Sequence, residues 1–341
     1  MARVTLKDVA KMAGVSPATA SFSLNNVKGR VAPEVRQRVL ECAELLHYTP
    51  NANARKLRTQ CSNTYLLVYS ESLLLERNAS TMLFVAGMIS HAAKLGKDVL
   101  IRLIDETKDW ESNLQPFLQL WDSRAVDGIV FQFSDKLHMQ PAFYDGLAAG
   151  HVNFVNIAYQ PSPYPSVYID DFQIMHDSIS YIRSKGYDEI YFLCMKMDVM
   201  SSREKGYLDC IRALGIAGHP LYYQDEFRTK QELADLVLPL IRKDGPRVAI
   251  ACWNDVDAIN LLEVMQSLGY RVPQDVGIMG YDDIPSAEHT YPPLTTVLQP
   301  FDVMAQCAVD LLVKRQKSGG EYSAAASQIK ISARIIERAS I

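Results

Sequence analysis

Arg55, Lys56 and Arg58 surround Leu57 in the polar stretch TPNANARKLRTQCSNT. Cations there would neutralise phosphate, and an apolar side chain between them is what opening a base step from the minor groove requires. A solvated linker would have the same composition. Upstream, Ser16, Thr19 and Ser21 gather small hydroxyls around Pro17 and Ala18. Hydroxyls and free N–H groups at a helix start meet phosphates and base edges when that helix enters a major groove. Much further along, Arg203 opens a segment just after the apolar run EIYFLCM. Its guanidinium offers five fixed donors, suited to vicinal hydroxyls or a carboxylate. No GxGxxG follows a strand, and GxxxxGK[ST], HExxH and GxSxG are absent, so the enzyme classes built on those signatures lose support. The expectation is a non-enzyme without a cofactor.

The six cysteines form no CxxC pair, and the histidines do not cluster near them. That pattern implies free thiols in a reducing compartment and no metal site. The opening MARVTLKDVAKM is charged and lacks the apolar core of a leader, and no apolar run is long enough for a membrane helix. A cytoplasmic, nucleoid-associated protein is expected. Charge divides the chain: residues 1–63 hold ten Lys/Arg against four Asp/Glu, while the remainder holds 25 against 35. A basic arm on an acidic body suggests a local polyanion contact.

The elements needed to position these groups can be traced from caps and periodicity. Thr5 and Asp8 make a capping box ahead of Leu6, Val9, Ala10 and Ala13. Gly14 stops that helix, Ser16 caps a second with Pro17 at its first turn, and Asn25, Asn26 and Gly29 break it near Leu24. A third starts near Pro33, with Val35, Val39, Cys42, Ala43 and Leu46 as its buried stripe. Three short helices, the first two joined by a tight turn, give helix-turn-helix geometry, although other small bundles share the pattern. From Tyr65 onward, apolar strands (YLLVYS, DVLIRLI, VDGIVFQF, VNFVNIA, EIYFLCM, RVAIACW, VGIMGYD) alternate with helical segments. This predicts two α/β lobes with parallel sheets, whose carboxyl strand ends line a cleft.

VTLKDVAKMAGVSPATASFSLN and VAPEVRQRVLECAELLHYTPNANARKLRT resemble the headpiece of the lactose-repressor/galactose-repressor family, and DSRAVDGIVF, SVYIDDF, SSREKGYLDCIRALGI, ACWNDVDAINLLEVMQSLGYRVPQDVGIMGYDDI and PPLTTVLQP extend the resemblance along the chain. It implies a helix-turn-helix headpiece at 1–48, a hinge helix at 49–63, and a periplasmic-binding-protein-like sensor. The N-terminal lobe would span 64–160 and 292–322, and the C-terminal lobe 161–291 and 323–341. It also implies a homodimeric transcriptional regulator, a repressor of palindromic operator DNA, gated by a small effector such as a sugar. The absence of a leucine-heptad tail after ISARIIERASI favours dimer over tetramer.

Matched residue by residue, Thr5 and Leu6 resemble the phosphate-contacting helix start, Pro17 and Ala18 the base-choosing positions, and Thr19, Ser21 and Asn25 the backbone contacts. Tyr48 and Asn51 lead into the hinge, and Ala54 and Leu57 match hinge positions, Leu57 being the minor-groove lever. Ser16 caps the recognition helix, and Arg30 stands beyond its end as a further DNA contact. Phe22 departs from the family, which commonly places Arg or another polar reader there; Phe can touch a thymine methyl but cannot pair with guanine. That apolar surface motivates the rival reading, a small-molecule-binding or scaffolding protein with a non-selective headpiece. In the sensor, the resemblance makes Arg203 the effector clamp, Asp282 the carboxylate accepting effector hydroxyls and Asn254 a cleft residue. A salt bridge would also account for Arg203 and Asp282, and a helix cap for Asn254. Tyr159 and Trp253 could stack on an apolar ring face, with a core role equally open to Trp253. Leu73, Asn78, Phe131 and Gln132 complete the first-lobe expectation, although SESLLLERN departs from the family spelling.

Overall fold

In the computed structural model, residues 4–25, 29–49, 61–70, 79–105, 107–132, 141–196, 200–224, 229–242 and 245–317 are described, with 327–341 closing the chain; the side chains of 70 and 79 are excepted. They form two compact units, Met1–Ser62 and Asn63–Ile341.

The first unit holds α1 (Leu6–Ala13), α2 (Pro17–Leu24) and α3 (Pro33–Leu45). At the start of α1 the Asp8 carboxylate accepts the Thr5 N–H at 2.9 Å and its hydroxyl at 2.7 Å, satisfying an orphan donor of the first turn. These Thr5 hydrogen bonds hold the Asp8 carboxyl below its ordinary value. Gly14 ends α1 at φ 64°, the left-handed conformation that permits the sharp entry into α2. Val9, Ala10, Ala13, Ala20, Val39, Cys42 and Ala43 form the small core.

The second unit is built from two parallel sheets. The first, in order β11-β5-β4-β3-β1-β2, contains β1 (Thr64–Ser70), β2 (Asp98–Ile104), β3 (Gly128–Gln132), β4 (Phe154–Ala158), β5 (Ser166–Ile169) and β11 (Gln328–Ile331). The second, in order β7-β6-β8-β9, contains β6 (Glu189–Met195), β7 (Pro220–Tyr223), β8 (Val248–Cys252) and β9 (Gly277–Met279). A separate antiparallel pair joins β10 (Thr296–Leu298) to β12 (Arg334–Ile336). Helices α4 (Ala79–Lys94), α5 (Trp110–Asp122), α6 (Pro141–Ala149) and α11 (Phe301–Lys317) accompany the first sheet; α7 (Asp171–Ser184), α8 (Ser202–Leu214), α9 (Lys230–Val237) and α10 (Asp255–Ser267) accompany the second.

The expected lobe boundaries shift. β5 pairs with β4, and β11 pairs with β5, so 166–169 and 328–331, expected in the C-terminal lobe, belong to the first sheet. Their ladder hydrogen bonds run to strands of that sheet. The crossings therefore fall near 170, near 299 and near 332. Order reverses between β1 and β3 in one sheet and between β6 and β8 in the other. Such switch points open a crevice beyond the carboxyl strand ends.

Candidate nucleic-acid interface and effector cleft

The residues expected at DNA in the first unit sort by what already occupies them. Ser16 Oγ accepts the Thr19 N–H at 3.0 Å and bonds the Thr19 hydroxyl at 2.9 Å, so both serve first as the α2 cap. Asn25 donates to the Ser21 carbonyl at 2.6 Å, closing the helix. Pro17, Ala18 and Arg30 are exposed, as is Thr5, while Leu6, Ser21, Phe22 and Tyr48 are half-buried. The exposed and half-buried groups thus include both cap hydroxyls and an apolar set. Arg36 and Arg38, on α3, send Nε to the Ser23 carbonyl at 3.3 Å and the Ala13 carbonyl at 3.0 Å, tying the three helices together. Asn51, Ala54 and Leu57 lie outside the described residues, as do Leu73 and Asn78 of the sensor.

In the second unit, the crevice is dominated by Arg203 at the first turn of α8. Its Nε donates to Asp171 Oδ2 at 2.7 Å and its Nη1 to the Trp253 carbonyl at 2.7 Å. The Tyr281 hydroxyl donates to the other Asp171 oxygen at 2.7 Å. The guanidinium carbon lies 3.8 Å from the Tyr281 ring centroid, 4.7 Å from that of Trp253 and 5.8 Å from that of Tyr159. Burial works against this charge, but Asp171, with Tyr281 and Asp282, holds the guanidinium above its ordinary value. Arg203 is therefore clamped as well as clamping, and its ion-pair partner is Asp171 rather than Asp282.

Asp282 is 3% exposed and sits at φ 117°. A non-glycine residue there is strained, and it is pinned by its N–H on the Val297 carbonyl at 2.8 Å and by Gln299 Nε2 on its Oδ1 at 2.5 Å. Asn254 Oδ1 caps α10 by accepting the Asp257 N–H at 2.8 Å, so its oxygen has a structural task. Trp253 is half-buried and its ring tilts against Phe192, 6.1 Å between centroids; it packs on the core and lines Arg203 at once.

On the first sheet, Gln132 ends β3 opposite Tyr69 of β1, and paired residues of adjacent parallel strands share a face. The Tyr69 hydroxyl, Gln132 Oε1 and Gln299 Oε1 are buried without a hydrogen-bond partner. Buried polar atoms left unpaired carry a cost that an incoming partner removes. Tyr69 and Gln299 escaped the sequence reading; their signal was position at strand ends in YLLVYS and PPLTTVLQP. Phe131 is a correction. It is fully buried in an edge-to-face web with Phe117 and Phe143, each 5.4 Å away. Adjacent strand residues face opposite sides, so Gln132 and Phe131 cannot both face the crevice. Tyr159 is half-buried, and its neighbour Gln160 accepts from Ser202 at 3.0 Å, linking the β4 end to α8. Tyr159, Gln160 and Ser202 rim a cavity of about 140 Å³ with Tyr144 and Tyr164, a space that Arg203, Asp282 and Gln132 do not line.

Comparison with known proteins agrees with both units. The profile of bacterial regulatory proteins, lacI family, matches residues 5–51, and that of the periplasmic binding protein-like domain matches 179–341. The HTH-type transcriptional regulator AscG of Escherichia coli is 29% identical over 329 residues, 94% of each chain. The HTH-type transcriptional repressor PurR of Photobacterium profundum is 28% identical over 92% of each. Among solved structures, the lac repressor dimer bound to operator and the anti-inducer ONPF superposes with a TM-score of 0.80 at 21% identity, covering 99% of each chain. A transcriptional regulator CelR–cellobiose complex gives 0.64 at 23% identity, covering 99% of this chain and all of that one. The chain thus joins a segment similar to the lacI family of bacterial regulatory proteins to one similar to periplasmic binding protein-like domains.

Proposed function

We propose that this chain is a DNA-binding transcriptional repressor whose grip on a palindromic operator is set by a small molecule bound between the two lobes. The observation that carries the reading is the presence, in one chain, of a capped helix-turn-helix unit and a two-sheet unit with its polar groups at both switch points. The effector would sit where Arg203, Asp282, Gln132, Tyr159 and Trp253 converge on the carboxyl strand ends. Unpaired oxygens of Gln132 and Gln299 invite hydroxyl donors, and Asp171 already neutralises Arg203. Both features suit an uncharged sugar.

Operator half-sites need two headpieces, hence a homodimer. The edge strand β2 offers a surface for it, with Leu100 at 43%, Ile101 at 41% and Leu103 at 49% exposure, an apolar edge that proteins normally cover. Closing the lobes about the crossings near 170, 299 and 332 would rotate paired first lobes and misalign the segments leading to DNA. A coupling of about 2 kcal/mol changes DNA affinity about 30-fold.

The test is selection of bound duplexes from a random pool at fixed salt, with and without a mixture of neutral sugars. A palindrome whose recovery one sugar alters is expected. Recovery indifferent to every sugar would remove the sugar assignment, and no enriched sequence would remove the repressor reading itself.

A further inference from the structure

We infer that this chain selects its operator through thymine 5-methyl groups, read by an apolar patch made of Phe22, Pro17 and Ala18. The inference rests on the DNA-binding reading above and goes beyond it by naming what each half-site must contain. The helix that would enter the major groove reads PATASFSL and holds no Arg, Lys, Asn or Gln. It therefore lacks the side chains that pair bidentately with guanine or adenine.

Its hydroxyls are engaged within the helix. Ser16 and Thr19 bond each other in the cap, and buried Ser23 donates to the Thr19 carbonyl at 2.9 Å. Asn25, just past the helix, donates to the Ser21 carbonyl. The nearest arginines of α3 direct Nε to backbone carbonyls of α1 and α2. Ala20 and Ser23 turn inward, while Pro17 and Ala18 are exposed and Phe22 is half-buried. What this unit turns outward from α2 is mainly hydrocarbon. In the major groove, hydrocarbon has one base-specific partner, the thymine methyl. Arg30, exposed beyond α2, lies outside the helix and would supply charge for phosphate.

The full chain should be challenged with two random duplex pools at the same salt, one synthesised with thymine and one with uracil throughout. Uracil keeps every hydrogen-bonding group and lacks only the methyl. The thymine pool should yield a palindrome with thymine at matching positions of each half, and the uracil pool should leave those positions unenriched. Burying one methyl is worth about fourfold in affinity, so removing it from both halves should weaken binding about fifteenfold. Phe22→Ala, with its fold checked by circular dichroism, should lose the preference for thymine over uracil, and Phe22→Leu should keep part of it. The same palindrome from both pools at equal strength would overturn the methyl inference and leave the DNA reading standing. A palindrome from neither would overturn both. A Phe22→Ala chain that discriminates as fully as its parent would remove Phe22 as the reader.

Discussion

Arg203 is 6% exposed, and a guanidinium at that depth needs a counter-charge, which Asp171 supplies from 2.7 Å. Removing one partner of such a pair leaves the other charge stranded, at a cost of about 3–5 kcal/mol. Arg203→Ala should lose stability on that scale in urea denaturation, and Arg203→Met combined with Asp171→Leu should recover much of it. A double variant as unstable as the single would mean that the ion pair is not where the energy lies. Asp255, at the start of α10, gives a pH signature. Burial, with Asp282 beside it, pushes its carboxyl up to about 8, against the pull of the Thr296 hydroxyl and the Ile284 N–H. The folded chain thus keeps a proton that the unfolded chain releases near 3.8. Stability contributed by this group falls as pH rises from about 4 to about 8 and is level above that. Asp255→Asn should flatten this decline, read as urea midpoints across that range; an unchanged slope would assign the proton to another group. At this scale the sequence was informative where chemistry is local. The Thr5–Asp8 box and the Ser16 cap are written within four residues and were readable. The pairing of Arg203 with Asp171 spans 32 positions and was not.

Helix α8 approaches α7 so closely that a Cβ on Gly206 would stand 2.3 Å from the Phe172 carbonyl oxygen. Backbone cannot give way as a flexible side chain does. Gly206→Ala should force the helices apart at a cost of about 1–3 kcal/mol, seen as a lower midpoint in thermal melting; a midpoint equal to the parent's would show that the helices can slide. The longer strands and helices were legible because their apolar spacing is sustained. The strands β5, β7 and β10–β12 span only three or four residues each. Too short to show a period, they are fixed by partners far away in sequence, as β11 is by β5. That is why the lobe boundaries were set too early. Alternation along β3 could have excluded Phe131 beforehand, since Gln132 beside it points the other way. Asn254 shows the converse: a strand-end position in a cleft and a helix cap are the same position, and the side chain performs the capping.

The proposed dimer would cover β2. Leu100→Lys with Leu103→Lys should yield monomers by light scattering while preserving the fold, because both side chains are more than two-fifths exposed in the single chain. With one headpiece per molecule, operator affinity should fall by about 10²- to 10⁴-fold, the gain that linking two sites ordinarily provides. Dimers that persist would move the interface to another face. The placement of β11 has a further consequence, for biosynthesis. The first sheet is begun at residue 64, but its edge at 328–331 emerges from the ribosome only after the entire second sheet has been made. The sheet started first is completed after the other, whose four strands are in effect an insertion within it. During translation, the helix-turn-helix unit and all four strands of the second sheet are available while the first sheet still lacks α11 and β11. A nascent chain can thus acquire its DNA-reading helices before it has the apparatus that regulates them.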